Sequence, residues 1–130
     1  MARSDAAGWT DAQRDELARM AELEIAAGRP AGDPGRWTPI WVVVAGGEVY
    51  VRTWYRRDTG WYGRAVRTGS ARIRVQGAIV DVAVEAADDA TRAAVDAAYL
   101  SKYGGGGARS VTTDDAAAST LRLAPAEADS

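Results

Sequence analysis

Apolar and polar residues alternate with a period of two through the middle of this chain, the signature of strands with one buried face. Residues 38–45, TPIWVVVA, form a β-branched run that reads as a largely buried strand, and Gly46-Gly47 is a two-residue turn into Glu48–Trp54. In that second strand Val49, Val51 and Thr53 share one face, and Tyr50, Arg52 and Trp54 share the other. Further on, Ala71, Ile73 and Val75 alternate with Arg72, Arg74 and Gln76. A turn at Gln76-Gly77 then leads to Val80, Val82 and Val84 opposing Ile79, Asp81, Ala83 and Glu85, which predicts a second hairpin. Leu23, Ile25 and Ala27 alternate with Glu22, Glu24 and Ala26; a short strand is expected there, with continued helix as the competitor. Residues 119–124, STLRLA, read as a last strand. Val42, Val44, Val49, Val51, Ile73, Val75, Val82 and Leu121 are the expected core.

Helical signals lie between these runs. Thr10 followed by Gln13 is a capping-box pattern, and acids at Asp11, Asp15 and Glu16 favour a helix start, so a helix to about Met20 is expected, burying Leu17 and Met20. Asp58-Thr59-Gly60 reads as a cap for a short helix over 60–67 that Gly69 ends. Asp88-Asp89 opens an Ala-rich helix in which Val95, Tyr99 and Tyr103 fall at i, i+4 and i+8, a packing stripe. Four glycines, 104–107, stop it, and residues from there to about Ala118 are expected to be a mobile loop. Residues 28–35 form a loop rich in Gly and Pro.

Two hairpins, an extra strand at each end and helices as plugs predict an α+β antiparallel domain, most economically a small barrel. A single domain over 10–124 is expected, with an arm at 1–9 and a frayed tail at 125–130.

Composition narrows the chemistry. There is no cysteine and no histidine, so thiolate nucleophiles, imidazole bases and the commonest metal ligands are excluded; no metal is expected, and Asp, Glu, Tyr and Lys102 remain as proton carriers. No run is long and apolar enough to span a membrane and the N-terminus lacks a signal core, so a cytoplasmic protein is expected. Of 16 basic residues all but Lys102 are arginine, and seven (Arg52, Arg56, Arg57, Arg64, Arg67, Arg72 and Arg74) fall within 52–74 against one acid, Asp58, in a chain of net charge −2. Trp54, Tyr55, Trp61 and Tyr62 are interleaved with them. Arginine forks bind phosphate and carboxylate and stack on rings, so this stretch suits a planar anionic small molecule better than duplex DNA, which usually meets a basic domain. Arg52 between two aromatics on one strand face reads as a ligand wall, against an ordinary solvated ladder.

Gly28-Arg29, Gly32, Arg36-x-Thr38-Pro39-Ile40, the hairpin, Thr53 and Gly60-Trp61-Tyr62 follow in an order that resembles the deazaflavin-dependent nitroreductase branch of flavin-binding split β-barrels. TPIWVVVAGGEVYVRTW, DAAYLSKYG and the terminal TLRL look still more like the small actinobacterial proteins of domain of unknown function 2255, over roughly residues 9–124. The resemblance implies a six-stranded split barrel with two or three helices, holding FMN or a deazaflavin. Arg36, Thr38, Pro39 and Ile40 would lie along the ring; Arg52, Thr53, Trp54, Arg56, Arg57 and Arg64 would surround the phosphate. Trp61 would pack inward to hold its helix while closing the site, and Tyr62 would stand nearer the mouth. Tyr55 or Tyr62 would donate a proton. The chain departs from the nitroreductase pattern at Pro30-Ala31, at Arg64 in place of asparagine, and at Trp54-Tyr55-Arg56-Arg57, where a Gly-rich loop is usual.

Three functions follow. One is a flavin- or deazaflavin-dependent oxidoreductase acting on a small electron-poor or quinone-like molecule. The second is a cofactor-free barrel that shapes or isomerises a secondary metabolite in an aromatic cavity, with Asp58 or Glu48 as base. The third is an interaction module displaying Arg and Trp. Monomer and homodimer are both open.

Overall fold

Thr10 begins the first helix by the expected capping box. Its hydroxyl accepts from the Gln13 N–H at 3.0 Å, and the Gln13 side chain accepts from the Thr10 N–H at 3.0 Å. The computed structural model describes residues 9–27, 37–52, 60–75, 77–104 and 112–125. Helix α1 (Asp11–Arg19) is followed by strands β1 (Leu23–Ala27), β2 (Thr38–Ile40), β3 (Val42–Ala45) and β4 (Glu48–Val51). Then come α2 (Gly60–Thr68), β5 (Ser70–Val75), β6 (Ala78–Ala86), a 3₁₀ turn (Asp89–Thr91), α3 (Arg92–Tyr103), α4 (Asp114–Ala118) and β7 (Leu121–Pro125). Residues 23–27 are thus strand, and the helical competitor is set aside.

All neighbouring strands are antiparallel, in the order β2-β1-β5-β6-β7-β4-β3. The two outermost segments, β2 and β3, are halves of the single 38–45 run with only Trp41 between them, so the sheet nearly closes on itself as a barrel. Counted through Trp41 there are six strands among the described residues, the number the resemblance implies. Gly46 and Gly47 both take positive φ, 59° and 81°, the turn geometry that lets the β3–β4 hairpin keep its right-handed twist.

The run changes partners because α3 intervenes at Trp41. The Trp41 ring stacks on Tyr103 at 4.1 Å between centroids and 5° between planes. The Tyr103 hydroxyl accepts from the Val42 N–H at 3.2 Å and donates to the Ala21 carbonyl at 2.8 Å. Beside it Lys102 Nζ donates to the carbonyls of Val42 and Leu17 at 2.7 and 3.0 Å. Two consecutive residues of α3 therefore pin α1 and the barrel seam together. Burial holds the Lys102 amine down at about 8 from its ordinary 10.5. The unfolded chain keeps that proton until higher pH, so it binds more protons between these values and stability should rise from pH 8 towards 10. Lys102→Met should flatten this rise in urea titrations at pH 7.5 and 9.5; an unchanged slope would assign it to another group.

Inside the barrel, Leu23, Ile25, Val42, Val49, Val51, Ile73, Val75, Val82, Leu121 and Leu123 form one apolar core with Leu17 of α1. Of the expected core residues only Val44 is partly exposed, packed against that cluster. Val51→Ala should cost about 1–3 kcal/mol through lost burial and a cavity, read as a lower denaturation midpoint at unchanged m-value. Trp9, which the sequence reading leaves in the arm, is fully buried in the same core and donates its indole N–H to the Leu123 carbonyl at 3.1 Å.

A second cluster lies outside the barrel, where Val43 and Tyr50 on the outer face of the hairpin pack against Val95 and Tyr99 of α3. The stripe predicted at Val95 and Tyr99 is real, and it covers the face expected to be a ligand wall. Among the described residues helices number four rather than two or three. The addition is α4, in the stretch expected to be a loop, where the Thr113 hydroxyl caps the helix by accepting from the Ala116 N–H at 3.1 Å.

Candidate functional site

Thr38, Pro39 and Ile40 form β2, the half of the closing strand that pairs with β1. Thr38 and Ile40 stand opposite Ile25 and Leu23, which are core residues, so both face the barrel interior and are partly buried. Pro39, opposite Glu24, faces outward and is exposed. Just before it, Trp37 carries the Arg74 guanidinium over its ring at 4.1 Å, and Arg74 also bonds Glu24 at 2.9 Å. Trp37 is a candidate the sequence reading missed, although its place one residue before Thr38 on an outward-facing position was the available signal.

Val51 pairs with Val42, so the chain leaves β4 at the point where the 38–45 run changes partners. The next residue, Arg52, is buried, and its side chain is turned under α3. Its Nε donates to Thr120 Oγ1 at 2.8 Å, an amino group meets Asp96 Oδ1 at 2.6 Å, and the guanidinium lies 5.5 Å from the Tyr99 ring centroid. This corrects the wall predicted from Tyr50 and Arg52: strand alternation put both on one outward face, but α3 lies over that face, and it is a sealed seam. Burial raises the Tyr99 hydroxyl well above its ordinary pKa, opposed by the nearby Arg52 charge. Tyr99 therefore stays neutral.

Asp96 divides its carboxylate between Arg52 and Arg92, whose Nε is 3.4 Å away, and Arg92 continues to Asp114 of α4 at 2.9 Å. Sequence reasoning did not select Asp96. Its only mark there was an acid next to Val95 at the edge of a buried stripe.

Tyr62 is also placed differently from the expectation. It lies within the barrel core with Ala65, 8% exposed, so the packing role predicted for Trp61 is filled at least by Tyr62, one step round the helix. Helix α2 packs its buried side on β1, β5 and β6. Trp61 and Arg64 belong to α2, but their side chains lie outside the described residues, as do Arg36, Thr53, Trp54, Tyr55, Arg56, Arg57 and Asp58 altogether. Glu48, considered as a base, is engaged by Arg122 at 3.0 Å, and Arg122 also bonds Glu85. Among the described residues no acidic cluster offers a metal site, and no helix is long and apolar enough to cross a membrane. A cleft of about 200 Å³ opens between α3 and α4, lined by Asp88, Asp89, Arg92, Asp114 and Thr120.

The chain belongs to the family of uncharacterized proteins conserved in bacteria (DUF2255), whose model matches residues 13–123. No curated protein matches its sequence. Among solved structures it is similar to an FAD-binding protein from Mesorhizobium loti, at 14% identity and a TM-score of 0.56 over 88% of each chain. It is similar to an F420 reductase at 16% identity and a TM-score of 0.53, over 92% of this chain and 97% of that one. A conserved hypothetical protein, Rv2991, from Mycobacterium tuberculosis aligns over 98% of this chain and 86% of its own, at 13% identity and a TM-score of 0.56. These likenesses establish the split-barrel fold.

Proposed function

We propose that this protein is an oxidoreductase that binds a phosphorylated flavin or deazaflavin along β2, beside the point where the chain leaves β4. The observation that carries this reading is the fold, shared over nearly the whole chain with structures described as an FAD-binding protein and an F420 reductase. The residues present suit such a group. Exposed Pro39 and the flat Trp37–Arg74 pair offer apolar and aromatic surface, and the following stretch supplies arginines for a phosphate. When bound, the cofactor supplies the hydride chemistry, which requires no histidine or cysteine from the chain.

The protein's part is to bind, orient and shield. Arg56, Arg57 and Arg64 would hold the phosphate, and Arg36 and Pro39 would lie along the ring, with Thr38 and Ile40 turned into the barrel as the backing of β2. Trp54 and Trp61 close the site over it. Since Tyr62 is packed in the core, Tyr55 is the tyrosine left to donate a proton. The substrate is a small electron-poor or quinone-like molecule.

Titration with FMN and with F420, followed by tryptophan quenching, tests the reading. Charge-assisted bonds to phosphate are worth roughly 1.5–3 kcal/mol each, so Arg56→Ala with Arg57→Ala should weaken binding about a hundredfold or more. Failure of the unmodified protein to bind either cofactor overturns the proposal.

A further inference from the structure

The Arg52–Asp96 pair is an unusual thing to place under a helix. The rest of that seam is Val43, Tyr50, Val95 and Tyr99, and an apolar side chain at 52 would continue it. A buried ion pair gives back in attraction little more than it loses in desolvation, and hydrophobic replacement is often as stable. What it supplies that apolar packing lacks is direction. Arg52 reaches two separate parts of the chain with two different nitrogens, Thr120 just before β7 at 2.8 Å and Asp96 of α3 at 2.6 Å, with its side chain fully buried. Both receivers are themselves held. Thr120 donates its hydroxyl to the Ala117 carbonyl at 2.6 Å, and its own carbonyl accepts from the Ala87 N–H at 3.0 Å. Asp96 is steadied on its other oxygen by Arg92 at 3.4 Å. Arg52 is the first residue beyond β4, so what holds its side chain also holds the backbone at the end of that strand.

We infer that Asp96 is a positioning residue: by fixing Arg52 from behind the sheet it anchors the chain at the end of β4, and through that sets the affinity for a phosphorylated cofactor. Arg52 then serves the site as an anchor rather than as a phosphate ligand. The second half of this statement rests on the function proposed above. The first half stands without it.

Hydrogen exchange by mass spectrometry on the whole protein, with FMN and F420 titrations of the same samples, separates the two. Asp96→Asn should speed exchange in peptides covering 52–59 at least tenfold while leaving the β5–β6 hairpin unchanged, and should weaken cofactor binding about tenfold. Asp96→Glu, which keeps the charge, should restore most of both. Arg92→Ala removes a partner of Asp96 that does not touch Arg52 and should leave both within about twofold. A uniform rise in exchange across all peptides would show that Asp96 only stabilises the fold, and unchanged exchange at 52–59 would also overturn the inference. If Asp96→Asn does not fold, Arg52→Lys takes its place, since it keeps the charge but cannot reach Asp96 and Thr120 together: a selective rise in exchange at 52–59 supports positioning through Arg52, and exchange there unchanged from the unmodified protein rejects it. Should the unmodified protein bind neither cofactor while Asp96→Asn still loosens 52–59 selectively, positioning stands and the oxidoreductase reading fails.

Discussion

Trp9→Ala should melt roughly 10–20 °C below the unmodified protein, from a loss of about 3–5 kcal/mol. The residue lies just before Thr10, the N-cap of the first helix, where sequence position alone suggests a dispensable arm. Its ring is nevertheless fully buried with Leu17, Leu23 and Leu123, and truncation leaves a cavity that a closed barrel is poorly able to collapse. Its indole N–H also satisfies the Leu123 carbonyl, a bond that ties the start of α1 to the barrel and that alanine cannot make. Trp9→Phe should recover more than half of the loss, since most of it is volume. A melting temperature within about two degrees of the parent for Trp9→Ala would place the residue outside the core.

Arg52→Met should cost about 3 kcal/mol, at the lower end of the range for breaking a buried pair. The cost comes chiefly from Asp96, left half-enclosed with its desolvation uncompensated except by Arg92. Adding Asp96→Leu should return most of that stability, because two apolar side chains extend the existing seam of Val43, Tyr50, Val95 and Tyr99. Denaturant titrations of the two single variants and the double variant give the coupling directly. Simple additivity of the two losses would mean that the pair does not act as a unit. The double variant also bears on function: a protein that regains its stability without regaining cofactor affinity has kept the packing of the seam and lost only its direction.

Much of the barrel was legible before any coordinates. The Gly46-Gly47 turn between a β-branched run and an alternating one specifies the β3–β4 hairpin, because few other conformations satisfy both the turn and the burial. Thr10 and Gln13 likewise mark the start of α1 by a local exchange of hydrogen bonds. Period-two alternation sorted the inward from the outward residues of β4, β5 and β6 correctly, since an error of one residue would expose the whole apolar set. For the candidate site the arginine-rich stretch and the Thr38–Ile40 segment were legible as chemistry.

The sequence by itself therefore determined which residues face the barrel interior and where its turns and first helix begin, all of them consequences of contacts between residues close along the chain. What covers the outer faces was decided only in three dimensions. Alternation puts Tyr50 and Arg52 on the outward side of β4, but nothing local says that α3, more than forty residues later, lies over them and pairs Asp96 with Arg52. The partner change at Trp41 depends in the same way on Lys102 and Tyr103, and the burial of Trp9 on a carbonyl 114 residues away. Each of these needs the chain already closed into a barrel, because the cost of bringing such distant residues together is met by the whole core and leaves no mark on the pattern at either end.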